Sequence, residues 1–345
     1  MEKILTKKEF PTWIKNLESY HVFGPVKKET IWEYEKIKDP EKLDLNFPNT
    51  ALSPKKIFFP QREVILDFNK NNKGEPEINE SLPEKKPVVI FGVRSCDAKA
   101  LTLTDHVFKE DPDDKYYLRR RNQTTIVGLT CNEPPSKNCF CTSLDGSPHS
   151  KEGMDILMTE LEDKYYIEAI TDKGKELIEK AKDVSKNPSE KDKDELKKVH
   201  KASEKKIKRQ IKGLSKITDK LKNMFDSSLW DEESMSCLKC GICTYLCPTC
   251  HCFDISDEVT SSSPLKGQRV RTWDTCQFPY FTMHSSGHNP RPDKASRLRQ
   301  RILHKFYYFV DNYGDYQCTG CGRCISKCPV DIDIIEVLEK VKDYE

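Results

Sequence analysis

The sequence is 345 residues long, enough for two domains, and its 36% hydrophobic and 33% charged residues give the balance of a soluble chain with a heavily charged surface. The longest apolar run lies near Pro87–Val93, far short of the ~20 residues a membrane span needs; the charged start Met1–Phe10 lacks a signal-peptide core, so the expectation is a cytoplasmic protein with no membrane span. Net charge is only +2 but uneven: Thr171–Lys222 holds 18 Lys/Arg against 10 Asp/Glu, a local charge of +8, which leaves −6 elsewhere.

In chain order, residues 1–80 read as mixed structure. Trp13, Ile14 and Leu17 stand at helical spacing, which predicts an amphipathic helix over Phe10–Leu17. Lys55–Asn69 suggests two short strands around a Pro60–Gln61 corner, and Asn69–Pro87, rich in Asn, Lys, Glu and Pro, reads as a loop. Pro87–Val93 (PVVIFGV) and Thr124–Leu129 (TTIVGL) are runs of the buried-strand type, with a helix capped by Asp97 and running to Phe108 between them. Their separation suits a βαβ unit with parallel strands and a right-handed crossover. Thr171–Met224 reads as a pair of solvated helices broken near Asn187–Pro188, with Ile207, Ile211, Leu214, Ile217 and Leu221 three or four apart. Such a basic segment suits a solvated face or a docking surface; no nucleic-acid motif accompanies it, so no nucleic-acid partner is expected. The fold class is therefore mixed α and β. It comprises an N-terminal α/β domain over 1–170 with a short parallel-strand unit, a Lys-rich helical segment over 171–230, and a helical ferredoxin-like domain over 231–345.

Fifteen cysteines dominate the chemistry. The count is odd and no export signal is visible, so metal ligation outweighs disulfides. Cys237, Cys240, Cys243 and Cys247-Pro248 have the spacing C-x-x-C-x-x-C-x-x-x-C-P, and Cys318, Cys321, Cys324 and Cys328-Pro329 repeat it. In the bacterial ferredoxin pattern the fourth cysteine of each run ligates the other cluster. The expected sets are thus Cys237, Cys240, Cys243 and Cys328 on one [4Fe–4S] cluster and Cys318, Cys321, Cys324 and Cys247 on a second. A zinc site needs only four ligands and leaves the other four and both prolines unexplained. Crossed ligation holds two clusters close together, as electron relay requires. About 70 residues separate Cys247 from Cys318, a long insertion for a ferredoxin.

A third set lies in the N-terminal half. Cys96 follows the first proposed parallel strand and Cys131 the second, and ligands of open α/β sheets gather beyond the carboxyl ends of strands. Cys139 and Cys141 share a loop with Cys131 and could complete four ligands of a third cluster. A zinc site and unliganded buried thiols are the other readings. Cys250, Cys252 and Cys276 remain; with His284 or His288 they could form another metal site, and the plainer expectation is that they pack against the dicluster domain. Neither G-x-G-x-x-G nor G-x-x-x-x-G-K-[ST] occurs among the 14 glycines, so no nucleotide site of those types and no catalytic residue is visible.

These residues carry a resemblance over nearly the whole chain. FFPQREVILDFN (Phe58–Asn69), FGVRSCDAKAL (Phe91–Leu101), GLTCNEPPSKNCFC (Gly128–Cys141) and the stretch from CLKCGICTYLCPTCHCFD to CTGCGRCISKCPVDI resemble the iron–sulfur beta subunits of cytoplasmic NiFe hydrogenases (sulfhydrogenases) and the corresponding iron–sulfur subunit of anaerobic sulfite reductase. Flavin-oxidoreductase-associated relatives that pass electrons to heterodisulfide reductases are similar too. The resemblance implies an electron-relay role between a flavin-bearing, NAD(P)-reactive partner and a terminal redox subunit of hydrogenase, sulfite reductase or heterodisulfide reductase type, and a third cluster in the N-terminal half. Ser95 stands where family members often have Pro, and the Lys-rich segment 171–222 is longer than usual. The competing expectation is a self-contained iron–sulfur reductase with a substrate-accessible site near Cys250, Cys252 and Cys276.

Overall fold

A computed structural model of the chain describes residues 1–71 and 73–344. Twelve strands form two sheets: β1 (Glu2–Thr6), β2 (His21–Lys28), β3 (Ile31–Lys36), β4 (Arg62–Lys70), β5 (Pro76–Glu80), β6 (Val88–Val93), β7 (Thr124–Leu129), β8 (Ile156–Leu161), β9 (Lys164–Ala169), β10 (Ser185–Lys186), β11 (Phe253–Ser262) and β12 (Leu265–Trp273). The larger sheet has the order β10-β1-β9-β8-β7-β6-β2-β3. Its centre, β2, β6, β7 and β8, is parallel, and the flanking pairs are antiparallel.

Every residue of β6 and β7 is buried, the signature of parallel strands covered on both faces. Alternation sorts their side chains. Val89, Phe91, Val127 and Leu129 pack with Phe10, Trp13 and Ile14 on one face. Val88, Ile90 and Ile126 pack with Leu101, Phe108 and Tyr117 on the other. The helix carrying Phe10 spans Phe10–Lys15, with Pro in its first turn, where a missing N–H costs nothing. Between β6 and β7 the helix spans Ser95–Phe108; Arg94 holds the cap position, and Asp97 lies inside the first turn instead of capping it.

Three segments depart from the sequence reading. Lys55–Phe58 is a helical turn, not a strand, because Phe58 and Phe59 bury completely against Trp273 and Phe108 from that geometry; tertiary packing overrides their β preference. The loop assigned to Asn69–Pro87 contains β5, a fully exposed edge strand that pairs with β4. The basic segment holds three helices, Asp172–Glu179, Glu190–Glu204 and Leu214–Leu221, together with β10. Its apolar residues are not on solvated helices: Leu177 and Ile178 pack under the large sheet, and Ile211, Leu214, Ile217 and Leu221 enter the C-terminal core.

Elements also cross the expected boundaries. β10 extends the N-terminal sheet through β1. The long insertion forms the β11–β12 hairpin, and β12 pairs with β4, giving a second sheet of order β11-β12-β4-β5 built from both halves of the chain. The remainder of the C-terminal half is helical, with Lys294–Leu303 and Ile334–Asp343 around one apolar core.

Candidate metal centres

In each ferredoxin-type run the third cysteine sits on a one-turn helix, Ile242–Tyr245 for Cys243 and Arg323–Ser326 for Cys324. Each helix is preceded by a glycine in the left-handed region, Gly241 at φ 73° and Gly322 at φ 71°, which reverses the chain between second and third cysteines. That reversal turns three sulfurs toward a common centre.

Among the described residues, three cavities are each lined by four or more cysteines. Cys237, Cys240, Cys243 and Cys328 line the first, with Arg301 and Cys324 on its inner wall. The second is lined by Cys247, Cys318, Cys321 and Cys324, with Lys305 and Arg301. Cys96, Cys131, Cys139 and Cys141 line the third, where Cys321 forms part of the wall. Each cavity thus gathers one of the quartets proposed from sequence. Cys324 borders the first and second cavities and Cys321 the second and third, so the three stand in a row.

The third cavity is closed by contacts between the two halves of the chain. Phe140 donates its backbone N–H to Gly320 O at 2.8 Å across the two halves, and within the N-terminal half Cys131 N–H reaches Pro148 O at 2.9 Å. A Cβ on Gly320 would lie 2.5 Å from Cys141 N, and one on Gly322 would lie 2.4 Å from Asn138 O, so glycine permits the close approach. Arg323 forms a bidentate pair with Asp97, at 2.6 and 2.8 Å, both buried. That pair ties the helix carrying Cys96 to the helix carrying Cys324.

None of the fifteen cysteines is joined in a disulfide. Burial pushes the thiols of Cys243, Cys318 and Cys141 up to about 12 and that of Cys139 up to about 11. Thiolates enclosed there need positive charge beside them. Some of it comes from the protein. Lys305, Arg301 and Lys55 are only 3%, 5% and 4% exposed, and among the described residues none of the three has a carboxylate partner. Lys305 Nζ donates to Cys247 Sγ at 3.3 Å, and Arg301 Nη1 approaches Cys250 Sγ at 3.9 Å. Lys55 Nζ donates to the carbonyls of Cys247 and Cys250, at 3.0 and 2.8 Å. Burial opposes the charge on Lys305, and the neighbouring Cys247 and Cys250 sulfurs more than offset it, so its pKa rises. The hydroxyl of Thr319 in the second cavity is buried and lacks a partner among the described residues. Buried cations without counter-charge, facing quartets of sulfur, are the complement of an anionic iron–sulfur group. Among the described residues, no group of three or more His, Cys, Asp or Glu is drawn together closely enough to hold a metal ion.

Cys250, Cys252 and Cys276 line none of the three thiol cavities. The Cys250 thiol hydrogen-bonds Cys247, whose pKa falls well below the usual thiol value, and Cys252 likewise hydrogen-bonds Cys276, which is lowered to about 6. His284 and His288 lie together in an exposed loop.

Sequence reasoning missed the cations. Arg297, Arg301 and Lys305 stand four apart and are all buried, a basic stripe turned inward from Lys294–Leu303 into the π-helical turn His304–Tyr308. The i, i+4, i+8 spacing was the available signal. Its meaning was hidden because such a stripe usually faces water. π-turns recur at functional positions, and this one aims Lys305 at Cys247.

The 4Fe-4S dicluster domain family matches residues 236–332. Sulfhydrogenase 2 subunit beta of Pyrococcus furiosus is 34% identical over 337 residues, covering 97% of this chain and 96% of that protein. No solved structure matches the chain. Among the described residues, no helix is long and apolar enough to cross a membrane.

Proposed function

The chain belongs to the family of sulfhydrogenase beta subunits, and from that membership we propose that it is an electron-relay subunit with three [4Fe–4S] clusters in a row. The observation that carries the reading is the coincidence of three thiol quartets with three adjoining cavities that share Cys324 and Cys321 as walls. Cys237, Cys240, Cys243 and Cys328 hold the first cluster, Cys318, Cys321, Cys324 and Cys247 the second, and Cys96, Cys131, Cys139 and Cys141 the third. A bound cluster takes up and gives back one electron at a time.

The protein's own part is to fix distances, exclude water and set charge. The shared walls keep neighbouring sites within a side chain of each other. Burial of Cys131, Cys139 and Cys247 keeps solvent from the interior sulfurs. The two ends differ from this interior. Around the first cavity Cys240 is exposed, with Leu238 60% and Met235 71% exposed beside it. Beside the third, Ile31, Trp32, Pro135 and Ser136 line an open groove that reaches Cys321, the second-quartet sulfur that also walls the third cavity. Partners therefore dock at opposite ends. One end takes a flavin- and NAD(P)-linked partner, and the other takes a terminal redox subunit of hydrogenase, sulfite reductase or heterodisulfide reductase type.

Reduction of anaerobically purified chain by a low-potential chemical donor tests the reading. The expected result is paramagnetic signals that integrate to about three spins, with spin coupling between neighbours, and no substrate turnover by the chain alone. Absence of any reducible centre sinks the proposal. Affinity purification from the native cell then identifies the two partner subunits.

A further inference from the structure

The three cavities do not receive equal charge. At the first, Arg301 lies in the wall beside Cys243, and the hydrogen bonds to sulfur come from backbone amides: Lys239 N–H to Cys237 Sγ at 3.4 Å and Ile332 N–H to Cys328 Sγ at 3.3 Å. At the third, Arg323 is offset by Asp97. Arg94 contacts Cys131, but its guanidinium donates to Thr130 O at 2.9 Å and Phe47 O at 2.5 Å and stacks over the Phe47 ring.

At the second cavity an ammonium is directed at a quartet sulfur. Cys247 Sγ lies 3.3 Å from the Lys305 ammonium and 3.2 Å from the Thr249 hydroxyl. Lys305 directs its remaining hydrogens to Thr249 Oγ1 at 3.0 Å and Gln317 O at 2.9 Å, so the ammonium is held with one N–H on sulfur. Arg301 lines both the first and second cavities. Positive charge and hydrogen bonds to ligand sulfur favour the reduced state of an iron–sulfur cluster, which carries one more negative charge than the oxidised state.

We infer that Lys305, added to an Arg301 that the first and second cavities share, makes the middle site the electron-holding site of the relay, with the highest reduction potential of the three. The inference rests on the cysteine assignment proposed above. Lys305 is a positioning residue: it acts on the cluster through the sulfur of Cys247 and exchanges no electron or proton. With clusters bound, an electron entering through either outer site would come to rest between them. The outer sites would then be reduced only in passing.

The test is an anaerobic redox titration of the full chain followed by EPR, with iron counted in each sample. Lys305→Met, which keeps length and burial but removes charge and donor, is expected to move the highest-potential signal negative. The shift corresponds to an approximately tenfold loss in the equilibrium constant for reduction, ~59 mV for one electron. Lys305→Arg should recover most of that shift. Arg301→Met should lower two of the three potentials, because Arg301 faces two cavities. If Lys305→Met fails to fold, Thr249→Val removes the hydroxyl that accepts from Lys305 and holds its ammonium beside Cys247, and is expected to give a smaller shift of the same sign. The inference is overturned if either Lys305→Met or Thr249→Val, with its iron complete, leaves the highest potential in place. A wild-type chain without cluster iron would instead overturn the cysteine assignment itself, so the two failures are distinguishable.

Discussion

The helical C-terminal unit and the parallel sheet both present cysteine quartets, but they enclose them by different means. In the helical unit a left-handed glycine and a one-turn helix bring three sulfurs together within seven residues, and the apolar core around Leu338 and Phe306 supports the turns. At the sheet, Cys96 and Cys131 hang from the ends of β6 and β7. Cys139 and Cys141 come from a loop held against Gly320 and Gly322 of the other unit. Two cavities are therefore products mainly of local chain geometry, whereas the third depends on the docking of one half of the protein onto the other. A break in the docking should cost the third site first and leave the other two.

The largest effect is expected from Asp97→Ala. It strands the buried Arg323 guanidinium, and breaking a buried pair costs about 3–5 kcal/mol. Chemical denaturation should register that loss, and iron analysis should show the third site emptied while the dicluster signals persist. Gly322→Ala is the next step down. It places a Cβ at φ 71° and 2.4 Å from Asn138 O, a strain of about 1–3 kcal/mol. Its effect should fall on the Cys131–Cys141 loop, read as faster hydrogen exchange there.

His200 sharpens the comparison from the side of the sheet. It stacks on His149 and bonds Thr159 on β8, and burial lowers its pKa from 6.5 to about 4. As pH falls below 6.5 the unfolded chain binds a proton that the folded chain refuses. Stability is therefore lost between pH 6.5 and about 4 and levels off below. His200→Gln should remove on the order of 1 kcal/mol of that slope, allowing for partial exposure, as read by denaturation midpoints at pH 7 and 4.5. The smallest effect is expected from Arg269→Ala. Its pair with Asp257 on the β11–β12 hairpin is solvent-exposed, so the change should stay within about 0.5 kcal/mol and leave every cluster signal intact.

How much of this was legible in the sequence follows the same division. The turns of the helical unit are written in contiguous spacing, C-x-x-C-G-x-C, so the quartets could be proposed from residues alone. β6 and β7 were legible because parallel buried strands are continuous apolar runs. β5, with its sequence PEINE, was not: an exposed edge strand carries no apolar alternation, and only its pairing with β4 defines it. The helical turn at Lys55–Phe58 was misread because aromatic residues favour strands until a neighbouring core claims them. The pairing of β12 with β4, across some 200 residues, left no local trace. Lys305 and Arg301 were hidden for a related reason, since charge at helical spacing takes on an inward meaning only when anionic sulfur lies on that side.

The central claim is best tested by counting iron and acid-labile sulfide in anaerobically purified wild-type chain and in Cys131→Ala/Cys139→Ala. The account expects about twelve of each per wild-type chain and about eight in the variant, with the dicluster EPR signals preserved. About eight in both proteins, or zinc in place of iron, would contradict it.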